Sequence, residues 1–146
     1  MGFDLSAKNK KLGAKGYFRV GLYEVILFRT AMISAGVDEK LVYKKFVSND
    51  GWLVTSRQSR EIAEKLRTWL NHKNLLVDLL EQNESARMGN RGYLELFSKL
   101  GNPGQKKFAK LLSKDKPIPV RLDRMSRKMI RNFAEFCDRS SGFWVD

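Results

Sequence analysis

The amino-acid sequence predicts a mainly α-helical single domain, a bundle of about five helices with one small two-stranded β-pair. Three observations lead there. Apolar residues recur at three- and four-residue spacing in Ile62, Ala63, Leu66, Trp69 and Leu70, and again in Met125, Met129, Ile130, Phe133, Ala134, Phe136 and Cys137, which is how a helix with one buried face reads. Helix-end signals flank the helical runs: Thr55-x-x-Gln58 as a capping box, Asn102-Pro103 as a start, Gly36 and Gly101 as stops. Finally, 146 residues of which 42% are hydrophobic suit one domain with a substantial core.

Taken in order, residues 1–16 hold three Gly and four Lys with no sustained period and read as a flexible basic arm ahead of a helical domain at 17–146. Residues 20–35 carry only Glu24 and Arg29 as charges and fit a buried central helix closed by Gly36. Residues 37–48 are ambiguous between a short helix and an extended segment. Ser-Asn-Asp-Gly (48–51) is a turn; Trp52–Thr55 reads as a short strand pairing with 142–145. A helix from Thr55 to about Asn71 follows, and LLVDLLEQ (75–82) continues or restarts it. NESARMGNRG (83–92) is polar with two Gly and reads as a loop. A short amphipathic helix at 93–100, a second at about 104–113, a stiff Pro117/Pro119 link and a last helix at about 123–139 complete the chain.

Charge is unevenly distributed. Of a net +12, residues 1–19 contribute +4, residues 20–98 only +1, residues 99–131 fully +9, and the remainder −2. The last helix places Arg124, Arg127 and Lys128 in its first turns, against the preference of the helix dipole for acid there. Charge concentrated this way points to a polyanionic partner. With no apolar run near the ~20 residues of a membrane span and no signal-like leader, a cytoplasmic protein without membrane contact is expected. A lone cysteine, Cys137, excludes an internal disulfide and a multi-cysteine zinc site; it reads as a buried small hydrophobe.

No nucleophile elbow, zinc-protease helix, phosphate loop or dinucleotide fingerprint is present. GNPGQKK (101–107) is glycine-rich and then basic, but it lacks the Gly-Lys-Ser/Thr ending and Pro103 removes a backbone donor. Glu61 and Glu64 sit among Arg57, Arg60 and Lys65 as a solvated face. The single histidine, His72, is far from Cys137 in sequence, and no third orienting group marks a catalytic pair. The expectation is a non-enzyme without metal or cofactor.

Three stretches, YFR (17–19), SNDGWLVT (48–55) with its helix, and FAEFCDRSSGFWV (133–145), resemble a family of small bacterial proteins of uncharacterised activity, with a central Asn-Asp-Gly turn and a C-terminal Phe-rich helix ending in Ser-Gly-Phe. The likeness spans roughly half the chain, implies no activity, and leaves out the basic block at 99–131.

That block carries the functional expectation: a nucleic-acid-binding protein touching DNA or RNA backbone through Lys106, Lys107, Lys110, Lys114, Lys116, Arg121, Arg124, Arg127, Lys128 and Arg131. For these to form one surface, the last two helices would pack on each other through Phe108, Leu111, Leu112, Met125 and Met129. The alternative is a small inhibitor or immunity-type protein, bacterial or phage-encoded, that binds an acidic protein. Trp52 and Trp144 would be its interface anchors if exposed.

Overall fold

The computed structural model describes residues 2–79, 81–114, 116 and 118–146. It corrects the expectation of a mainly α-helical five-helix bundle with one small β-pair: the chain is mixed α/β, with a four-stranded antiparallel sheet, a separate two-stranded ribbon and six α-helices among the described residues.

The N-terminal segment is the largest departure. β1 (Gly2–Ala7) and β2 (Tyr17–Gly21) form a hairpin in which Phe3 faces Val20 and Leu5 faces Phe18. A 3-10 segment (Lys10–Gly16) connects them and is tied back by hydrogen bonds from Lys8 N–H to Gly142 and from Asn9 N–H to Ser140. The expected flexible arm is therefore a central strand, with Leu5 1% exposed. β6 (Phe143–Val145) lies on the other side of β1, and β3 (Trp52–Val54) closes the sheet in the order β2-β1-β6-β3. The pair read between 52–55 and 142–145 is present, with Trp52 opposite Val145 and Val54 opposite Phe143. It is the margin of the sheet and not its whole.

α1 (Leu22–Ser34) is buried along most of its length, Arg29 included, and runs against β1, β2 and α3 (Ser56–Leu70). α2 (Glu39–Lys45) starts at Asp38, whose side chain accepts from Lys40 N–H, and resolves the ambiguity at 37–48 as a short helix. α3 begins on the Thr55/Gln58 capping box and packs on α6 (Arg124–Arg139). There the Ser59 hydroxyl donates to the Cys137 carbonyl oxygen. Rings from sheet, α1 and α6 form the centre of the core: Phe28 stacks on Phe133 at 4.6 Å and 7°, and Phe18 and Phe143 lie 5.4 and 5.3 Å from Phe136. Such offset and tilted pairs add to what their burial alone contributes.

β4 (Leu76–Asp78) and β5 (Pro119–Arg121) make the ribbon, Val77 opposite Val120. Leu76–Asp78 is thus a strand where helix was expected; of the expected Pro link, Pro119 opens a strand and Pro117 lies outside the described residues. Between β4 and β5 the chain leaves the main body as a helical hairpin, α4 (Glu84–Leu100) and α5 (Pro103–Leu112). Residues 83–92, read as a loop, are the first half of α4; Asn83 caps it by accepting from Ala86 N–H at 3.0 Å. The hairpin turns at Gly101, where a Cβ would come within 2.4 Å of the Phe97 carbonyl oxygen. Tyr23 on α1 meets Phe108 on α5 edge-on at 5.2 Å and docks the hairpin.

Candidate polyanion-binding surface

The ten cations predicted from sequence divide into three groups. Asn102 caps α5, accepting from Gln105 N–H at 2.8 Å, and Pro103 opens its first turn. This aims Phe108, Ala109 and Leu112 inward. Lys106 and Lys110, four residues apart, come to lie along the seam with α4. Lys107 and Lys114 are exposed elsewhere on the same helix and its end, and Lys116 is exposed beyond it.

α6 carries the second group. Its N-cap is Asp123, which accepts from Ser126 N–H at 2.7 Å; that hydrogen bond holds the carboxyl below the ordinary Asp range. An ionised cap answers the dipole that the neighbouring Arg and Lys oppose. Arg124, Lys128 and Arg131, spaced four and three residues apart, are exposed on one stripe of the helix.

Arg127 and Arg121 form the third group, at the corner where α3 ends. Arg127 is half-buried and donates to the carbonyl oxygens of Leu70, His72 and Lys73, the last at 2.7 Å. It closes the C-terminus of α3, where a cation meets the negative end of the dipole. Arg121 reaches the Asn74 side chain at 3.4 Å. Arg127 thus has a structural explanation that the exposed three lack.

The packing expected between the last two helices does not occur as drawn. α5 packs on α4 and α6 on α3, while Leu111 and Met125 are 40% and 71% exposed. Lys106 and Lys110 are brought instead to Arg87 and Arg91 of α4. With Leu79, Leu94, Ala109 and Leu112 as floor, these side chains line a groove of roughly 600 Å3 between the two helices. Gly89 and Gly92 conceal this helix in the sequence, and with it Arg87 and Arg91. The spacing Arg87, Arg91, Leu94, Ser98 is the helical signal that was available.

Behind the groove lies a buried ionic cluster. Arg29 donates to both Glu81 oxygens, at 2.5 and 2.8 Å, to the Phe46 carbonyl at 2.7 Å and to Asn90 at 2.9 Å; Asn90 donates in turn to Glu81. Glu81 also lines the groove, but its carboxylate is already held by three donors, two of them from Arg29. Burial, and then the Glu81 charge, push the nearby Tyr43 phenol up to about 12.

None of the ten predicted cations forms a salt bridge with a carboxylate among the described residues; the four ion pairs found there involve Arg19, Arg29, Lys65 and Arg67. Nor do three or more His, Cys, Asp or Glu side chains converge as a metal site among the described residues. Cys137 is fully buried, and its thiol is pushed well above the ordinary value by that burial; His72 is exposed at the end of α3. Trp52 is half-buried and Trp144 is 43% exposed. No helix among the described residues is long and apolar enough to cross a membrane. No protein-family model matches the chain, and no curated protein or solved structure matches it.

Proposed function

We propose that the protein binds nucleic acid without catalysis, through sequence-independent contacts to phosphates. The observation that carries this is the state of the ten cations: nine are exposed and none is neutralised by a carboxylate of the described chain. Evenly mixed surface charge would have given Lys and Arg partners; a net +12 with so few ion pairs leaves a positive field over the molecule. Phosphates that replace the condensed counterions along a strand supply affinity from such groups. The exposed stripe Arg124, Lys128, Arg131 with Lys107 and Lys114 is the proposed contact set. Arg127 is assigned to folding.

Anisotropy titration of random-sequence DNA and RNA at two salt concentrations tests the reading. Binding should weaken steeply with salt. Removing Arg124, Lys128 and Arg131 should lower the log–log salt slope by about 2 to 3, since each phosphate contact contributes roughly 0.9. Absence of binding at low salt would end the proposal.

A further inference from the structure

We infer that the α4–α5 groove is a docking site for an acidic amphipathic segment of a protein partner. Its shape and chemistry are asymmetric in a useful way. The floor is aliphatic, built from Leu79, Leu94, Ala109 and Leu112, and the rims carry Arg87 and Arg91 on one side, Lys106 and Lys110 on the other. Two carboxylates also line it: Glu95, and Glu81, whose charge is already matched by Arg29. The groove therefore presents a net positive border around an apolar trough. From Arg87 to Ser98 it follows α4 for about 16 Å at the usual rise, the length of roughly three helical turns. An amphipathic helix seats its apolar residues in such a trough at i, i+3/i+4 and i+7, and acidic residues on its flanks meet the rims.

A nucleic-acid strand fits the groove less well. Base binding without sequence preference relies on aromatic platforms, and none of the residues lining this groove is aromatic. Of the eight exposed large hydrophobic residues among the described residues, Met88, Leu96, Leu100 and Leu111 lie on the two helices of this hairpin, outside the lining of the groove; they mark the hairpin as a contact element and add nothing to the groove itself.

The probe is a labelled helical peptide of about 16 residues, with Leu at i, i+3, i+7 and i+10 and Glu on the flanking positions. Poly-Glu of equal length and a single-stranded oligonucleotide serve as comparisons, and backbone amide NMR maps the contact. The peptide should bind at least about tenfold more tightly than poly-Glu, with shifts confined to 87–98 and 106–113. Arg91→Glu with Lys110→Glu should abolish its binding; Arg124→Glu with Lys128→Glu should leave it unchanged. Both pairs are exposed, so each variant can be checked for native fold by circular dichroism. Equal binding of poly-Glu, or shifts from the oligonucleotide in the groove larger than those from the peptide, would overturn the inference. Nucleic-acid binding on α6 stands or falls separately, on the α6 variant's own titration.

Discussion

Arg29 of α1 and Glu81, which precedes α4, form a two-pronged ion pair at 2.5 and 2.8 Å with each residue only 2% exposed. The pair joins elements 52 residues apart in sequence and anchors the helical hairpin to the main body. Its desolvation is offset by complete pairing: Arg29 has three acceptor groups, and the Glu81 carboxylate receives three donors.

Removing one partner should therefore be costly. Glu81→Ala leaves a guanidinium buried against Phe46 and Asn90 alone, and should lower unfolding free energy by about 3–5 kcal/mol. Against the 5–15 kcal/mol typical of a whole domain, that is enough to approach unfolding. Arg29→Met combined with Glu81→Leu should cost less than the sum of the single changes, because neither charge is stranded. Urea titration of the wild type, Arg29→Met, Glu81→Leu and the double variant, a complete double-mutant cycle, decides it; strict additivity would show that the pair is uncoupled.

Arg127 and Arg124 offer a direct contrast between a structural and a free cation. Arg127→Ala leaves three carbonyl oxygens at the end of α3 without their donor and should cost about 1–3 kcal/mol. Arg124→Ala, on the exposed stripe, should change stability by no more than about 0.5 kcal/mol while weakening nucleic-acid binding. Thermal melts and anisotropy titrations run in parallel would separate the two roles; equal stability losses would contradict the assignment.

Tyr43 predicts a pH effect with a definite sign. Its folded-state value, about 12, lies above the ordinary 10.0 because burial and the Glu81 charge disfavour the phenolate. The contribution is thus fully present below pH 10.0 and is lost as pH rises through about 12. Ultraviolet difference titration of the four tyrosines should show a late step that Tyr43→Phe removes. A variant with an unchanged titration curve would place the late step elsewhere.

Local chemistry was legible in the sequence, and long-range pairing was not. The Thr55–Gln58 capping box and the Asn102-Pro103 helix start are both present in the structure, because a cap involves residues close in sequence. β1 was hidden because its partners, β2 and β6, lie across a Lys-rich connection and at the far end of the chain. Three-residue strands such as β4 and β5 span too few residues for alternation to register. Within the basic block, residue type identified the cations, but only tertiary contacts distinguish Arg127 from Arg124. Arg29 and Glu81 were beyond reach for the same reason: a charged residue reads as surface until its partner is located.

Glycines supply the last prediction, since their effects should have opposite signs. Gly89 and Gly92 lie inside α4, and a Cβ at either would meet nothing within 4 Å. Glycine in a helix interior costs roughly 0.5–1 kcal/mol relative to alanine, so Gly89→Ala and Gly92→Ala should each stabilise the protein by about that amount. Gly142 sits at φ 95°, where a Cβ would lie 2.8 Å from the Val54 carbonyl oxygen and 3.0 Å from the Ser56 nitrogen. That close approach lets the turn after α6 deliver β6 beside β3, so Gly142→Ala should destabilise by more than about 1 kcal/mol. Chemical denaturation of the three variants tests both signs. Destabilisation by Gly89→Ala would mean that a side chain at 89 is crowded within the folded chain, and a native-like Gly142→Ala would mean that the turn between α6 and β6 tolerates a side chain.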